Sequence, residues 1–451
     1  MEKWNVCLLN DSFPPVIDGV ANAVYNYARI IEESLGHAVV GTPYYPGAED
    51  EYSFPVVRYR SVDTTRLVGY RTGYPFSASA LRELEGEKID VIHSHCPIMS
   101  TLLARTLRKT VGAPIILTYH TKFDIDIARD IRPVLLQSAA VKVLVKNISA
   151  CDEVWVVSRG AGENLRSLGY QGEYRIMENG VDFPRGAVAW ETCRTLDREY
   201  EIKPGLPVFL FVGRLMWYKG IRIILDALEK LRQEGTEFTM LFVGDGMDRK
   251  EIEDCVQEKG LQEDCIFTGA IHDREKLRAF FSRADLFLFP SVFDTNGIVV
   301  REAAACGLAS VLIAGSCAAE GITDGRNGYL IEENAEAMAA CLRERVSAPE
   351  ACHEVGERAM AEIYVSWDEA VRRAYDRYHV VMERCENDGW LEQESDRDEL
   401  FSVISDSIEL LNRLRQTNAE LKEEIRNKGA ALYDKSAALY GRLWENLDRF
   451  L

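Results

Sequence analysis

Short, wholly apolar runs alternate along most of this chain with longer segments of helical periodicity. Asn5 to Asn10 (NVCLLN) reads as a buried strand. After the Pro14-Pro15 turn, Ala21 to Leu35 repeats its apolar positions at helical spacing, and Gly36-His37-Ala38-Val39-Val40 starts a second strand. Ile89 to His93 and Ile115 to Tyr119 are further short strands, with a helix-like stretch, Thr101 to Thr110, between them. Glu153 to Ser158 (EVWVVS) is another strand, followed by a helix and then Arg175-Ile176-Met177. Strands alternating with helices predict a parallel, doubly wound sheet, and unbroken apolar runs fit strands covered on both faces.

The pattern breaks between Asp182 and Gly205, a stretch with Pro184, Pro204 and Gly205 and few apolar runs, which reads as a link between domains. It then resumes. Val208 to Val212, Thr239 to Val243, Cys265 to Thr268, Leu286 to Phe289, Ser310 to Ile313 and Gly328 to Ile331 are strand-like, with helices predicted at Gly220 to Arg232 and Asp248 to Lys259. The expected class is α/β, with two Rossmann-like doubly wound domains over residues 1–185 and 205–366. Such sheets bind ligands at the carboxyl ends of their strands, so two of them facing each other make a cleft. From Trp367 the pattern is helical. Residues 367–390 are expected to form a crossing helix and 391–451 a helical extension, with Leu400, Val403, Ile404, Ile408, Leu411, Leu414, Leu421 and Ile425 at helical spacing. That extension fits helices packed on the parent domain, with a dimerisation or partner helix as the alternative.

Composition narrows the function. The net charge of −19 argues against nucleic acid as a partner, because a phosphate backbone calls for a basic footprint. The acidic excess lies downstream of residue 150, which leaves the first domain open to anionic partners. None of the eleven cysteines is paired as C-x-x-C, and Cys7, Cys151 and Cys306 sit in apolar runs, so buried thiols in a reducing compartment are expected. The chain runs from Met1 into a strand without a signal-peptide pattern. No apolar stretch approaches the roughly 18 residues of a membrane span. A cytoplasmic chain is the expectation.

Two runs carry chemistry. Phe211 to Gly220 (FVGRLMWYKG) puts Gly213-Arg214 at a strand end and Lys219-Gly220 at a helix start. Two cations near a helix N-terminus form an anion site, with the guanidinium able to grip phosphate through two hydrogen bonds. As a bare pattern, the pair has a solvated surface pair as its alternative reading. Phe289 to Ala303 (FPSVFDTNGIVVREA) places Asp294 in a loop, Gly297 before a helix, and Glu302 eight positions after the first acid. The amides of Gly297, Ile298 and Val299 head that helix. Carboxylates accept hydrogen bonds from hydroxyls, so acids flanking an anion-binding helix start suit a ligand with hydroxyls at both ends and phosphate between, as in a nucleotide sugar.

In these runs, and in Phe13 to Val20 (FPPVIDGV), Val243-Gly244-Asp245-Gly246, Thr268-Gly269-Ala270, Asp324 to Gly328 (DGRNG) and Ser366-Trp367, the chain resembles glycosyltransferase family 4 over about residues 5–380. These are retaining enzymes of the GT-B fold. The resemblance implies that Arg214 and Lys219 neutralise the leaving diphosphate and that Glu302 binds the ribose hydroxyls. Asp294 would contact the transferred sugar, and Gly297, Ile298 and Val299 would present amides to sugar and diphosphate. Gly19 would let the N-terminal loop approach the diphosphate, and the backbone at Ala270-Ile271 would meet the base. His120, in Thr118-Tyr119-His120-Thr121, matches the active-site histidine beside the sugar ring. Two positions depart from the family pattern: Asp294 stands where glutamate is usual, and Ala309 where proline is usual.

The activity implied is transfer of a hexose, with retained anomeric configuration, from a UDP-sugar such as UDP-glucose to a hydroxyl acceptor, lipid or saccharide. No cofactor and no metal are implied; Asp124-Ile125-Asp126 has the letters of a metal-binding D-x-D but lies in the wrong domain, on a predicted helix where acids two apart diverge. The Asp-Gly-Val loop and the Tyr-His-Thr run are similar to the subgroup of diacylglycerol glucosyltransferases and lipid mannosyltransferases. Two rivals remain at this stage, a non-catalytic GT-B partner subunit of another glycosyltransferase and a GT-B enzyme of another reaction. Finally, Arg58 to Arg82 mixes Arg58, Arg60, Arg66, Arg71 and Arg82 with Tyr59, Tyr70, Tyr74 and Phe76. Arg66, Arg71 and Tyr70 are candidates for the acceptor side and for contact with the anionic inner face of a membrane.

Overall fold

The computed structural model describes residues 3–16, 18–65, 71–121, 134–294 and 297–388. Two parallel sheets dominate. The first is built from β1 (Asn5–Leu9), β2 (His37–Pro43), β3 (Val56–Tyr59), β6 (Val91–Ser94), β7 (Ile115–Tyr119), β8 (Glu153–Val156) and β9 (Arg175–Ile176), in the order β3-β2-β1-β6-β7-β8-β9. A two-stranded hairpin, β4 (Ser61–Val62) with β5 (Thr72–Gly73), stands apart from it. The second sheet has β10 (Val208–Val212), β11 (Thr239–Val243), β12 (Cys265–Gly269), β13 (Leu286–Phe289), β14 (Ser310–Ile313) and β15 (Tyr329–Ile331), in the order β12-β11-β10-β13-β14-β15.

In both sheets the chain winds outward from a central strand, then returns to build the other side. The reversal lies between β1 and β6 in the first sheet and between β10 and β13 in the second, and crevices open there at the carboxyl ends of the strands. The apolar runs explain the layering. All residues of β6, β7, β11 and β13 are buried, as strands covered by helices on both faces must be.

Helices in chain order are α1 (Gly19–Ile30), α2 (Ala78–Gly86), α3 (Met99–Val111), α4 (Val134–Ser149) and α5 (Arg159–Ser167) in the first half. The second half has α6 (Trp190–Glu199), α7 (Ile221–Gln233), α8 (Arg249–Glu258), α9 (Arg274–Arg283), α10 (Ile298–Ala305), α11 (Ala335–Val346), α12 (Pro349–Glu362) and α13 (Trp367–Asp388). In α7, Ile221, Ile224, Leu225, Leu228 and Leu231 are buried at i, i+3, i+4 spacing. Each such side chain contributes about 1.5–3 kcal/mol by leaving water. The first predicted helix continues past α1 as a π-helical turn, Ile31–Leu35, closed by Gly36.

Several elements lay outside the sequence pattern, and three of them show why. Helix α6 forms inside the stretch read as a link and buries only Cys193 and Leu196, too few apolar positions to show a period. Strand β3 alternates half-buried and buried residues, with Arg58 interrupting the apolar run. Helix α2 buries only Ala80 and Leu84.

Helix α13 crosses back onto the first sheet, where Val371, Tyr375, Tyr378 and Val381 share a core with Val6, Leu8 and Tyr27. The Tyr375 hydroxyl accepts from the Trp4 amide at 2.7 Å, and Arg377 grips Glu153 through bonds of 2.8 and 2.6 Å. The two passages between domains lie side by side, with the Val181 amide donating to the Val365 carbonyl at 3.0 Å. All eleven cysteines are free thiols. Among the described residues no helix is long and apolar enough to cross a membrane.

Candidate functional site

The second domain's crevice collects the motif residues. Gly213 and Arg214 follow β10. Gly213 donates to the Val243 carbonyl and Gly244 to that of Gly269, both at 3.0 Å, and a Cβ on Gly244 would collide with the Gly213 carbonyl oxygen. The strand ends therefore pack backbone against backbone. Arg214 is exposed, and its guanidinium makes no ion pair among the described residues. A 3-10 turn, Trp217–Lys219, follows and closes at Gly220 with φ 77°. A Cβ on Gly220 would strike the Pro290 carbonyl oxygen, so only glycine lets this turn lie against the loop after β13.

That contact brings the two motifs together. Lys219, 8% exposed, places Nζ 2.7 Å from Asp294 Oδ1, and Asp294 Oδ2 accepts from Ser291 Oγ at 2.5 Å. Gly297 has φ 54° and abuts Ala318, and α10 starts at Ile298. The first amides of a helix have no carbonyl of their own turn to bond, so the head of α10 points donors and a positive dipole end into the crevice. Ala270 and Ile271 follow β12 at the same edge of the sheet.

Glu302 lies on α10, 8% exposed, and accepts from Arg274 Nη2 at 2.6 Å. Burial pushes its carboxyl above the usual glutamate value, and Arg274 offsets part of that rise. Arg274 Nη2 also lies 3.7 Å from Asp182, which accepts from Asn22 and Asn26 on α1 at 3.2 Å each. A polar chain thus runs from the ribose-binding candidate across to the first domain. Sequence reasoning missed Arg274 and Asp182, since neither sits in a motif. A second tie joins the domains where Glu320 accepts from the Arg159 and Gly160 amides, both at 2.6 Å, at the N-terminus of α5.

The first domain supplies α1, capped by Asp18, whose Oδ1 accepts from Val20 and Ala21 at 2.8 and 2.7 Å. Gly19 heads the helix with open space where a Cβ would stand. His120 follows β7 and is 7% exposed; burial drives its pKa down to about 3, so the ring is neutral. Its Nε2 lies 2.9 Å from Nδ1 of His95, a neighbour the sequence pattern did not single out.

The arginine-aromatic segment is divided. Arg58 is engaged by Asp50 and the Pro14 carbonyl, and Arg71 by the Tyr44 carbonyl and Ser61 Oγ at 3.1 and 2.9 Å, so both brace the first domain. Arg60 and Arg82 are exposed. Arg66, Tyr70, Asp124, Asp126 and the helical extension beyond residue 388 lie outside the described residues.

Comparison with known proteins gives the family and the fold. Residues 17–185 match the model of Glycosyltransferase Family 4, and residues 194–361 that of Glycosyl transferases group 1. Among relatives, an alpha-monoglucosyldiacylglycerol synthase of Streptococcus pneumoniae is 25% identical over 305 residues, 66% of this chain and 69% of that protein. Another of the same name from Acholeplasma laidlawii is 24% identical over 342 residues, 73% of this chain and 85% of that protein. Of solved structures, Anabaena HepE in complex with UDP superposes with a TM-score of 0.68 at 18% identity, covering 83% of this chain and 100% of that one. At that identity the likeness is one of fold.

Proposed function

The chain belongs to glycosyltransferase family 4 and has the GT-B fold, and from that premise we propose that it is a retaining, metal-independent hexosyltransferase moving glucose from UDP-glucose to the hydroxyl of a membrane lipid such as diacylglycerol. The observation that carries this reading is the pairing of Lys219 with Asp294 beneath the head of α10, with Arg214 exposed at the same strand edge. A diphosphate there would meet a guanidinium, an ammonium and the first amides of a helix.

The same residues account for the chemistry. As the bond from sugar to diphosphate breaks, negative charge grows on the departing phosphate. Donors already fixed around it stabilise that charge without reorganising. Arg214 can offer two parallel hydrogen bonds, and Lys219 adds a point charge held in place by Asp294. Asp294 and His120 are the groups assigned to the transferred sugar, and Glu302 accepts from the ribose hydroxyls. The acceptor hydroxyl attacks from the face the diphosphate leaves and passes its proton to the departing phosphate oxygen, so the anomeric configuration is kept. The polar chain from Glu302 through Arg274 and Asp182 to Asn22 and Asn26 holds the domains together over the donor, which limits water.

The lipid acceptor is supported by the names of the two synthases and by the Asp18-Gly19-Val20 loop. On this reading the enzyme works at the cytoplasmic face of the membrane, touching anionic lipid through the segment around Arg60, Arg66 and Tyr70. Mass-spectrometric screening of UDP- and GDP-sugars against diacylglycerol, other lipid hydroxyls and soluble saccharides tests it. Glucosyl-diacylglycerol formed from UDP-glucose is the expected product. Transfer only to a soluble sugar would remove the lipid acceptor, and donor consumption independent of any acceptor would remove the transfer reaction.

A further inference from the structure

The loops after β10, β11 and β12 share one wall of the donor crevice. The amide of Leu215, next to Arg214, donates to the Asp245 carbonyl at 3.0 Å, so the loop after β11 is pinned to the one that carries Arg214. That loop runs into Arg249, the first residue of α8. The Arg249 side chain is partly exposed and held on two sides. Its Nε donates to Glu253 Oε1 at 2.8 Å, and Nη1 lies 3.8 Å from Asp245 Oδ2, too far for a hydrogen bond. The guanidinium lies beside the turn after β12. Beyond its chain neighbours, a Cβ on Gly269 would find Arg249 Nη1 at 3.6 Å and no other described atom within 4 Å. The space beside Gly269 is therefore open, with the guanidinium on its wall. The N–H groups on Nη1 and Nη2 have no acceptor among the described residues. A guanidinium fixed in this way offers spare donors in a plane to an acceptor that enters the space.

Sheet order decides which part of a nucleotide sugar reaches this place. The strands run β12-β11-β10-β13, with the head of α10 after β13, Arg214 after β10 and Arg249 between the ends of β11 and β12. Glu302, on α10, accepts from Arg274 at 2.6 Å, and Arg274 begins the helix that the turn after β12 leads into. A ligand with its diphosphate at Arg214 and its ribose at Glu302 thus carries its base onto Ala270 and Ile271, beside Arg249. We propose that Arg249 is a specificity-determining residue of the donor site. Its guanidinium donates to the carbonyl at C4 of a pyrimidine, or C6 of a purine, and so selects keto bases over amino bases. This rests on the nucleotide-sugar reading above and adds to it the group that discriminates the base. Uracil and cytosine share an outline, but at C4 uracil has an oxygen acceptor and cytosine an amino group. A guanidinium has no acceptor, so the amino group of cytosine would face it donor against donor and leave both unpaired.

The test titrates free nucleoside diphosphates into the full chain by calorimetry, so recognition of the base is measured without any acceptor. Wild-type protein is expected to bind UDP at least about 30-fold more tightly than CDP. Arg249→Met keeps the apolar stem of the side chain and removes the donors. In that variant the preference is expected to shrink to within about threefold, through weaker UDP binding and not through tighter CDP binding. Arg249→Lys keeps a cation without the planar fork and is expected to fall between the two. A wild-type protein that binds CDP as tightly as UDP overturns the inference, and so does a UDP preference that survives Arg249→Met. If GDP binds in place of UDP, and Arg249→Met erases its advantage over ADP, Arg249 keeps its role and uracil as the base is what fails. If Arg214→Ala loses UDP while Arg249→Met binds UDP and CDP as wild type does, the diphosphate clamp stands and the role of Arg249 falls. If the wild-type protein binds none of the four nucleotides, the nucleotide-sugar reading fails and this inference falls with it.

Discussion

Lys219 and Asp294 are 75 residues apart in sequence, yet their side chains meet at 2.7 Å in the crevice of the second domain. The turn that carries Lys219 reaches Asp294 because Gly220 lies flat on Pro290. This pairing places the cation and ties down the carboxylate. Asp294 has one oxygen on Lys219 and the other on Ser291, so it is already oriented before any sugar arrives. An aspartate in place of the family's usual glutamate still reaches both partners.

The two cations should therefore behave differently when removed. Each contributes a charge-assisted hydrogen bond to the diphosphate, worth roughly 1.5–3 kcal/mol. Both Arg214→Ala and Lys219→Ala are expected to cut turnover by about 10²–10³. Only Lys219→Ala should also lower the melting temperature, because it strips a partner from Asp294, whereas Arg214 is exposed and makes no ion pair among the described residues. Initial rates and thermal melts of the two purified variants check this. Near-normal turnover in both would remove the diphosphate clamp.

Glu302 gives a pH signature. Burial raises its carboxyl above the ordinary value of 4.5, with Arg274 pulling the other way. A raised pKa means the folded protein favours the protonated form, so ionising Glu302 costs stability at neutral pH. Glu302→Gln is expected to raise the melting temperature of the ligand-free protein near pH 7.5. The gain should shrink as pH falls toward the ordinary glutamate value, where the wild-type carboxyl is protonated too. Donor affinity should drop in the same variant, since an amide offers one acceptor oxygen where the ribose hydroxyls call for two. A melting temperature that falls at pH 7.5 would show that the pair with Arg274 outweighs burial.

Transfer is expected to survive EDTA, because Arg214, Lys219 and the head of α10 supply the positive charge that a divalent ion would otherwise bring. The check is product formation after exhaustive chelation, with and without added Mg²⁺ or Mn²⁺. Activity that vanishes and returns only with metal would mean the crevice is misread.

Much of the fold was legible because the strands are covered on both faces. Val208–Val212 and Thr239–Val243 are uninterrupted apolar runs, and no surface helix imitates them. Helix α6 was not legible, since Cys193 and Leu196 are its whole buried face. Spacing along the chain marked Arg214 with Lys219 and Asp294 with Glu302, and the family resemblance joined the two runs, but neither carried anything about partners set by tertiary contact. Arg274 meets Glu302 from a different helix, and Asp182 meets Arg274 from the passage between domains. His95 and His120 end neighbouring parallel strands, β6 and β7, a relation that only the sheet order reveals.

The segment from Arg58 to Arg82 bears on where the enzyme works. Arg58 and Arg71 are committed to Asp50, Ser61 and backbone carbonyls, and reversing either would disrupt the first domain before it tested any membrane. Arg60 is exposed, with Tyr74 38% exposed nearby in sequence, so Arg60 is the cation to change, together with Arg66, which the sequence alone puts forward. Near an anionic surface each basic side chain contributes about 1 kcal/mol, which salt screens within a Debye length of about 10 Å at 0.1 M. Wild-type protein is expected to co-sediment with vesicles containing phosphatidylglycerol, more as the anionic fraction rises and less as salt rises. Arg60→Glu/Arg66→Glu removes two positive charges and adds two negative ones, so binding should weaken by at least about 10-fold. Turnover on a soluble acceptor analogue should be unchanged, since neither residue is among those assigned to the donor. If the wild-type protein ignores anionic vesicles at low salt, the membrane contact is wrong, and a soluble saccharide becomes the better acceptor.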